Sequence, residues 1–397
     1  MNEKYWQVIH LSTGHEGGAG LAARRLNSEL NRHGVNSSFG AIKNPNYVAG
    51  NNEFSISRNL FQRLLSGLIV RLQRLLTKRV LFSLQSLNVY KLKQIRKLGG
   101  PRNTILHFHN WYNLVTQKEI ANLSKRGYHV VITLHDQRFF TGGCHYSFEC
   151  QGFKTDCRAC PELVPIIDRL PAKNISNTLN RLAKSNLTFI APSKWIMQEA
   201  LSSRLLKNQR VVFIPNTLGI PVESMFPPRN RSEEILSVIK IGIASMDISS
   251  YIKGGDITSE IEAEIAIQGL KIDLIYLNKI EVQNSKKEFW DKIDYLLVAS
   301  RAENSPNVIH EAKNFGVPVI ASDVGGISEL LYQDFDIVIK KNELNAQKIV
   351  QIIAGIDRLH EARSAARMRE SFSQYVGGSA ESHKDLYLSL LNNYKQK

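Results

Sequence analysis

Glu303 and Glu311 stand in the segment DYLLVASRAENSPNVIHEAKNFGVPVIASDVGGISELL, residues 294–331, where two carboxylates and a paired glycine could together serve a phosphorylated ligand. Apolar patterning predicts a buried strand over Tyr295–Ala299, a helix over Pro306–Phe315 and a second strand over Val317–Ser322, closed by Gly325 and Gly326. Glu303 then falls in the loop where the first strand ends, and Glu311 about two turns into the helix. A helix that starts at the C-terminal edge of a parallel sheet points free backbone N–H groups outward and suits phosphate. A carboxylate further along can accept two ribose hydroxyls. An isolated pair of acids at this spacing would be ordinary surface chemistry; the following GVPVIASDVGG gives it a context.

Other residues of chemical interest lie upstream. Lys253 in YIKGGD is a fixed cation that could neutralise a diphosphate without any metal. His109 in LHFHNW and His135 in TLHDQRFFTGG follow predicted strands, which places them at one sheet edge. Gly14, Gly17, Gly18 and Gly20 crowd the first strand-to-helix turn, where backbone can approach a ligand closely. Four cysteines, Cys144, Cys150, Cys157 and Cys160, fall within seventeen residues. In a reducing compartment this clustering suits a closed, structural zinc site, with His145 as an alternative ligand. Free thiols and disulfides are the other readings.

These chemical groups need sheets to hold them, and the chain has the length for two cores: 397 residues, 43% hydrophobic. Strands are predicted at Gln7–Leu11, Ser37–Ala41, Ile105–His109, His129–Leu134, Thr188–Ala191 and Val211–Pro215, and again at Ile235–Ile243, Ile272–Leu277, Tyr295–Ala299, Val317–Ala321 and Asp336–Ile339. Helical stretches alternate with them, the first at Leu21–His33, which implies α/β architecture with two doubly wound parallel sheets. The expected domains are 1–216, 217–378 and a terminal helix 379–397, with GIPVESMFPPRNRSE as the link.

The net charge of +15 asks for an anionic partner. No nucleic-acid reading module is present in the sequence, so nucleic acid is not expected. Within a basic helical region, 58–97, the stretch LFQRLLSGLIVRLQRLLTKRVLF places Arg63, Arg71, Arg74 and Lys78 within about 80° on a helical wheel, beside a wide apolar face. It reads either as a core helix with a solvated side or as a surface that rests on anionic lipid. Gly67 could split it into two shorter helices. No run of about 20 apolar residues occurs, and the N-terminus does not read as a signal peptide. The expected location is cytoplasmic, at the inner face of the cytoplasmic membrane.

The Glu303-x7-Glu311 spacing with its double glycine resembles the signature of the retaining GT-B glycosyltransferases of family 4. The TGGCHY segment, followed by cysteines and CP within 141–163, is similar to a branch that makes bacterial surface polysaccharides, the colanic-acid transferases. The resemblance implies two facing Rossmann-like domains with a cleft between them and a C-terminal crossing helix. It implies hexose transfer from a nucleoside-diphosphate sugar to a saccharide or polyprenyl-linked acceptor, with no cofactor for catalysis. Glu303 would hold sugar hydroxyls, and Glu311 the ribose. Lys253 and the amides around Asn304, Asn307 and Val308 would hold the diphosphate, with Gly17 and Gly18 as further contacts. His135 with Asp136 would orient or deprotonate the acceptor; His109, Ser193 and Asn216 would line the cleft. The chain departs from the family in two ways: no Arg precedes Lys253 in ASMDISSY, and few residues separate Lys253 from Asp294. These departures keep two alternatives open, a nucleotide-sugar epimerase of the same fold and a non-catalytic glycan-binding or scaffold subunit.

Overall fold

Strands and helices alternate along the chain and gather into two units, Met1–Gly219 with Gly378–Lys397, and Ile220–Gly377. The computed structural model describes residues 6–44, 47–78, 82–83, 99–218, 238–245, 249–277, 283–356 and 378–393. The predicted link, most of 79–97 and the start of the Ile235 strand lie outside them.

The first unit carries a seven-stranded parallel sheet of order β3-β2-β1-β4-β5-β6-β7. Its strands are β1 Gln7–Ser12, β2 Ser37–Ile42, β3 Glu53–Ile56, β4 Thr104–Asn110, β5 His129–Thr133, β6 Leu187–Ala191 and β7 Arg210–Phe213. Helices α1 Gly17–Arg32, α2 Leu60–Leu76, α3 Gln117–Lys125, α4 Leu170–Leu182 and α5 Lys194–Ser202 connect them. A parallel sheet covered on both faces demands strands that are apolar throughout, and Val8, Ile9, Leu106, Phe108, Val130 and Ile132 are buried accordingly. The short edge strand β3 is absent from the sequence reading because EFSI carries too little apolar pattern.

Helix α1 starts four residues before its predicted start. Glycine in a helix costs up to about 1 kcal/mol, which argued for a loop. Here the first turn packs so closely on the strand end that a Cβ at Gly20 would lie 2.4 Å from the Gly14 carbonyl oxygen. Only glycine allows that approach.

The second unit has a five-stranded parallel sheet, β12-β11-β10-β8-β9, from β8 Ile239–Ala244, β9 Ile272–Leu277, β10 Tyr295–Val298, β11 Val319–Ser322 and β12 Ile337–Ile339. Its helices are α6 Gly255–Gln268, α7 Gln283–Lys292, α8 Asn307–Asn314 and α9 Ala346–Ala354. One core sets Ile257 and Ile261 against Ile349 and Ile353; the opposite face holds Trp290 stacked on Phe315 at 5.5 Å. A fully buried ion pair, Lys313 with Asp336, anchors α8. Asp336 also accepts from the backbone N–H of Val319 at 2.8 Å and Tyr332 at 2.7 Å, so α8 is fixed relative to β11.

Helix α10, Ser379–Asn393, belongs to the first unit although it ends the described chain. Its Leu386, Tyr387 and Leu391 join Trp6, Val8 and Leu30 in one core cluster, and Ser379 Oγ donates to the Pro215 carbonyl at 2.7 Å.

Helix α2 corrects two expectations. It is one continuous helix, opened by a capping box between Asn59 and Gln62, with Gly67 inside it. It is not a core helix, because its buried positions are Ser66 and Gln73. Leu60, Phe61, Leu64, Leu68 and Leu75 are each more than 60% exposed. The polar stripe faces the protein and the apolar stripe faces out.

Candidate active site

In the second unit three loops converge on Glu303. Strand β10 ends at Val298, and the chain turns through Ser300 to place the Glu303 carboxylate in a buried position. Oε1 accepts from Ser300 Oγ at 3.3 Å and from Lys253 Nζ. Lys253 ends a short 3-10 turn that follows β8, the neighbour of β10. The two loops are joined where Arg301 N–H donates to the Ile252 carbonyl at 2.7 Å. Gly254, at φ +75°, sits where a Cβ would be 2.1 Å from the Ala299 oxygen. The third loop follows β11: Gly325, at φ +60°, would put a Cβ 1.8 Å from the Glu303 oxygen, and Gly326 N–H donates to that oxygen at 3.3 Å. The double glycine thus supports Glu303 through its backbone.

Helix α8 starts beside this carboxylate, with Pro306 as N-cap and Asn307 and Val308 in the first turn. Asn304 is buried in the preceding loop. Glu311 is half-buried on the same helix. The sequence reading looked for a second cation upstream of Lys253 and overlooked Arg301. Its guanidinium grips Asp256 in a bidentate pair at 2.6 Å and lies 4.2 Å over the Tyr251 ring. That pairing pushes the Arg301 pKa up and the Asp256 pKa down, and it largely neutralises the charge.

In the first unit β1, β4 and β5 bring histidines together. His10 Nδ1 faces His109 Nε2 at 3.0 Å, and His109 Nδ1 faces His135 Nε2 at 3.1 Å. Beside this string, His107 bonds Tyr387 OH and Thr133 Oγ1, both at 2.7 Å. His383 of α10 donates through Nδ1 to the Ser379 carbonyl at 2.7 Å. Burial keeps the rings neutral: His10 is lowered to about 3, His135 to about 4, and His107 and His109 well below their usual value. Ring nitrogens of His10, His107 and His109 lie within 4.8 Å of one another, a spacing that metal ligands also have. Here they are engaged with one another and with hydroxyls.

A neutral imidazole carries one N–H, so the three-ring string has only two bonded arrangements. Either all protons shift inward and leave an N–H at His10 Nε2, or all shift outward and leave the proton on His135 Nδ1. His10 Nε2 is buried with no hydrogen-bond partner among the described residues. A buried N–H without an acceptor is rare, and the Asp136 carboxylate favours the proton at the His135 end. The outward arrangement is therefore the stable one, and it makes His135 a donor at Nδ1.

The other expected site residues are placed as follows. His109 is 5% exposed and backs His135. Asp136 is committed to Arg138, its oxygens accepting from Arg138 N–H at 2.9 Å and from the guanidinium at 2.8 and 2.6 Å. Ser193 is the N-cap of α5, accepting from Ile196 N–H at 3.2 Å. Asn216 is half-buried beyond β7. Gly17 and Gly18 form the first turn of α1 and face open space.

The four cysteines lie close enough to act on one another electrostatically. Cys144 hydrogen-bonds Cys160, which pushes Cys144 up and holds Cys160 down at about 7. The Cys150 sulfur accepts from Gly152 N–H at 3.5 Å. Among the described residues no three sulfurs share a ligand-sized space. His145 is turned to Ser83 Oγ, so it replaces none of them. His10, His107 and His383 escaped the sequence reading. The i, i+2 pair in LHFHNW, with His10 opposite His107 in register, was the available signal.

Comparison with known proteins matches residues 230–355 to the family described as Glycosyl transferases group 1. A protein of Escherichia coli (strain K12) named for glycosyl transfer in colanic acid biosynthesis, WcaC, is 26% identical over 322 residues, 72% of this chain and 77% of its own. Among solved structures, Anabaena HepE in complex with UDP and glucose aligns at TM-score 0.60 and 15% identity, covering 97% of this chain and 100% of that one. The pneumococcal O-GlcNAc transferase GtfA in complex with UDP and GlcNAc aligns at 0.62 and 10%, covering 98% and 99%. The catalytic domain of Arabidopsis thaliana starch synthase IV bound to ADP and acarbose aligns at 0.60 and 12%, again covering 98% and 99%. The chain is a glycosyltransferase of GT-B fold, and its second unit carries the group 1 glycosyl transferase domain.

Proposed function

We propose that the protein transfers a hexose, with retention at the anomeric carbon, from a nucleoside-diphosphate sugar to a lipid-linked saccharide in bacterial surface-polysaccharide synthesis. The observation that carries this reading is the convergence of Lys253, Glu303 and the start of α8 at one sheet edge. A departing nucleoside diphosphate develops negative charge, which Lys253 and the first N–H groups of α8 are suited to meet. Glu303 would hold sugar hydroxyls, and Glu311 ribose hydroxyls. In the first unit, His135 would orient the acceptor hydroxyl. HepE and GtfA were each solved with UDP, so UDP-sugars are the first donors to try.

A thermal-shift panel of UDP-, GDP- and ADP-sugars on wild type and Glu311→Ala tests the donor half. One donor should stabilise the wild type, by about 2.7 kcal/mol at a hundredfold excess over Kd. The substitution should abolish the gain. No response from the wild type to any donor would sink the reading.

The lipid-linked acceptor is supported by α2. The outward leucines are flanked by Arg63, Arg71, Arg74 and Lys78, and residues 60–78 hold no acid. Each basic residue near an anionic bilayer adds about 1 kcal/mol of attraction. Among the described residues no helix is long and apolar enough to cross a membrane, so the contact would be peripheral, at the inner face. The protein should sediment with phosphatidylglycerol vesicles, and Leu64→Asp with Leu68→Asp should release it. Equal behaviour with neutral and anionic vesicles would refute this surface.

A further inference from the structure

A concave site lies in the first unit, beside the His135 end of the histidine string. It is a shallow, open cleft lined by Trp111, Tyr112, Arg138, Asn174, Asn177 and Arg181, with Gly142 and Gly143 along one wall. Among the described residues, neither carboxylate nor aliphatic side chain lines it. Aromatic faces, carboxamides and guanidinium groups together are the chemistry that binds a sugar ring bearing an anion.

The wall is constructed with little freedom. Gly142 passes Pro171 so closely that a Cβ would stand 2.3 Å from the proline Cβ; Gly143, at φ +140°, would place one 2.5 Å from the Phe82 ring. Asn174 Nδ2 donates to the Gly142 carbonyl at 2.9 Å and ties α4 to this loop. The TGG segment is therefore the cleft wall. Asn174, Asn177 and Arg181 recur at helical spacing on one face of α4.

The two arginines differ. Arg138 is paired with Asp136 and lies 5.4 Å over the Tyr112 ring. Arg181 is half-buried and has no acid partner among the described residues, and burial depresses its pKa. A cation partly removed from water without a counter-charge is stabilised by an incoming anion. The cleft also adjoins α2: Tyr112 OH donates to Gln73 Oε1 at 2.8 Å.

We infer that this cleft binds the phosphate-bearing end of the saccharide acceptor, with the phosphate on Arg181 and Arg138 and a sugar ring against Trp111. The inference rests on the acceptor reading above. It gives that reading a location: the cleft shares Tyr112 with the helix whose apolar face would lie in the lipid.

Titration of the full chain with α-D-glucose 1-phosphate, followed by NMR or calorimetry, tests it without any donor. A hydrogen bond to a charged group is worth about 1.5–3 kcal/mol, so Arg181→Ala should weaken binding by about tenfold or more. Arg181→Lys should restore part of it. Circular dichroism checks that each variant is folded. Three results would overturn the assignment: no binding, equal binding of plain glucose, or binding lost in Lys253→Ala and kept in Arg181→Ala. None of these touches the donor thermal shift, so the acceptor cleft and the donor site fail separately.

Discussion

Alanine at Gly325 is expected to abolish turnover and to lower stability, although it adds a single methyl group remote from any reacting atom. The glycine holds φ +60°, where an alanine costs about 1–2 kcal/mol on its own. The added Cβ would also stand 1.8 Å from the Glu303 carbonyl oxygen, a separation no pair of atoms can keep. One of the two loops must move. The Glu303 backbone is the part in contact, and its side chain holds Lys253. A shift of about 1 Å at a positioning group costs on the order of a hundredfold in rate. Donor hydrolysis or transfer, measured beside the melting temperature, should show both losses in Gly325→Ala. A variant with wild-type turnover would mean that the glycine does not support Glu303.

This loop was legible in the sequence because its information is local: strand, turn, helix and glycine pair follow one another within 294–331. Strand positions were legible for the same reason, and Ile272–Leu277 matches the observed β9 at both ends. What the sequence withheld depends on which face of an element meets which neighbour. The periodicity of α2 shows an apolar stripe, yet it cannot say that Ser66 and Gln73 face inward. Arg301 went unread, and Asp256, forty-five positions away in sequence, neutralises it. Lys253 and Glu303 were assigned separate tasks, and the fold pairs them, so a donor must be accommodated by a carboxylate and an ammonium that are already ion-paired. His135 appeared as one member of a pair with Asp136. The structure instead assigns Asp136 to Arg138 and backs His135 with two rings from β1 and β4.

Those rings make the fold sensitive to acid, with the larger of the two expected effects. His10, His107, His109 and His383 are buried, His135 and His145 partly so, and all are held neutral, with His10 and His145 lowered to about 3 and His135 and His383 to about 4. Desolvation is the leading cause for each. The charges facing them are few: Asp136 raises His135 and His145, Arg138 lowers both, and His383 opposes its neighbours in the string. A folded pKa below the unfolded value of about 6.5 means that the unfolded chain binds more protons in the acid range. Stability is therefore complete above about pH 6.5 and falls with pH until the folded rings titrate near 3 to 4. At pH 5 each of His10, His135, His145 and His383 costs on the order of 2 kcal/mol. Together they are a large share of a typical domain's whole stability of about 5–15 kcal/mol, so marked destabilisation of the first unit is expected between pH 6.5 and about 5. Urea midpoints across this range should drop steeply, and His10→Phe, which removes one titrating ring, should reduce the slope by ~1.4 kcal/mol per pH unit. A midpoint that stays constant from pH 7.5 to 5 would show that the rings are hydrated or already charged in the folded state. The string could not then fix the proton on His135, and the acceptor would have to be oriented by another group.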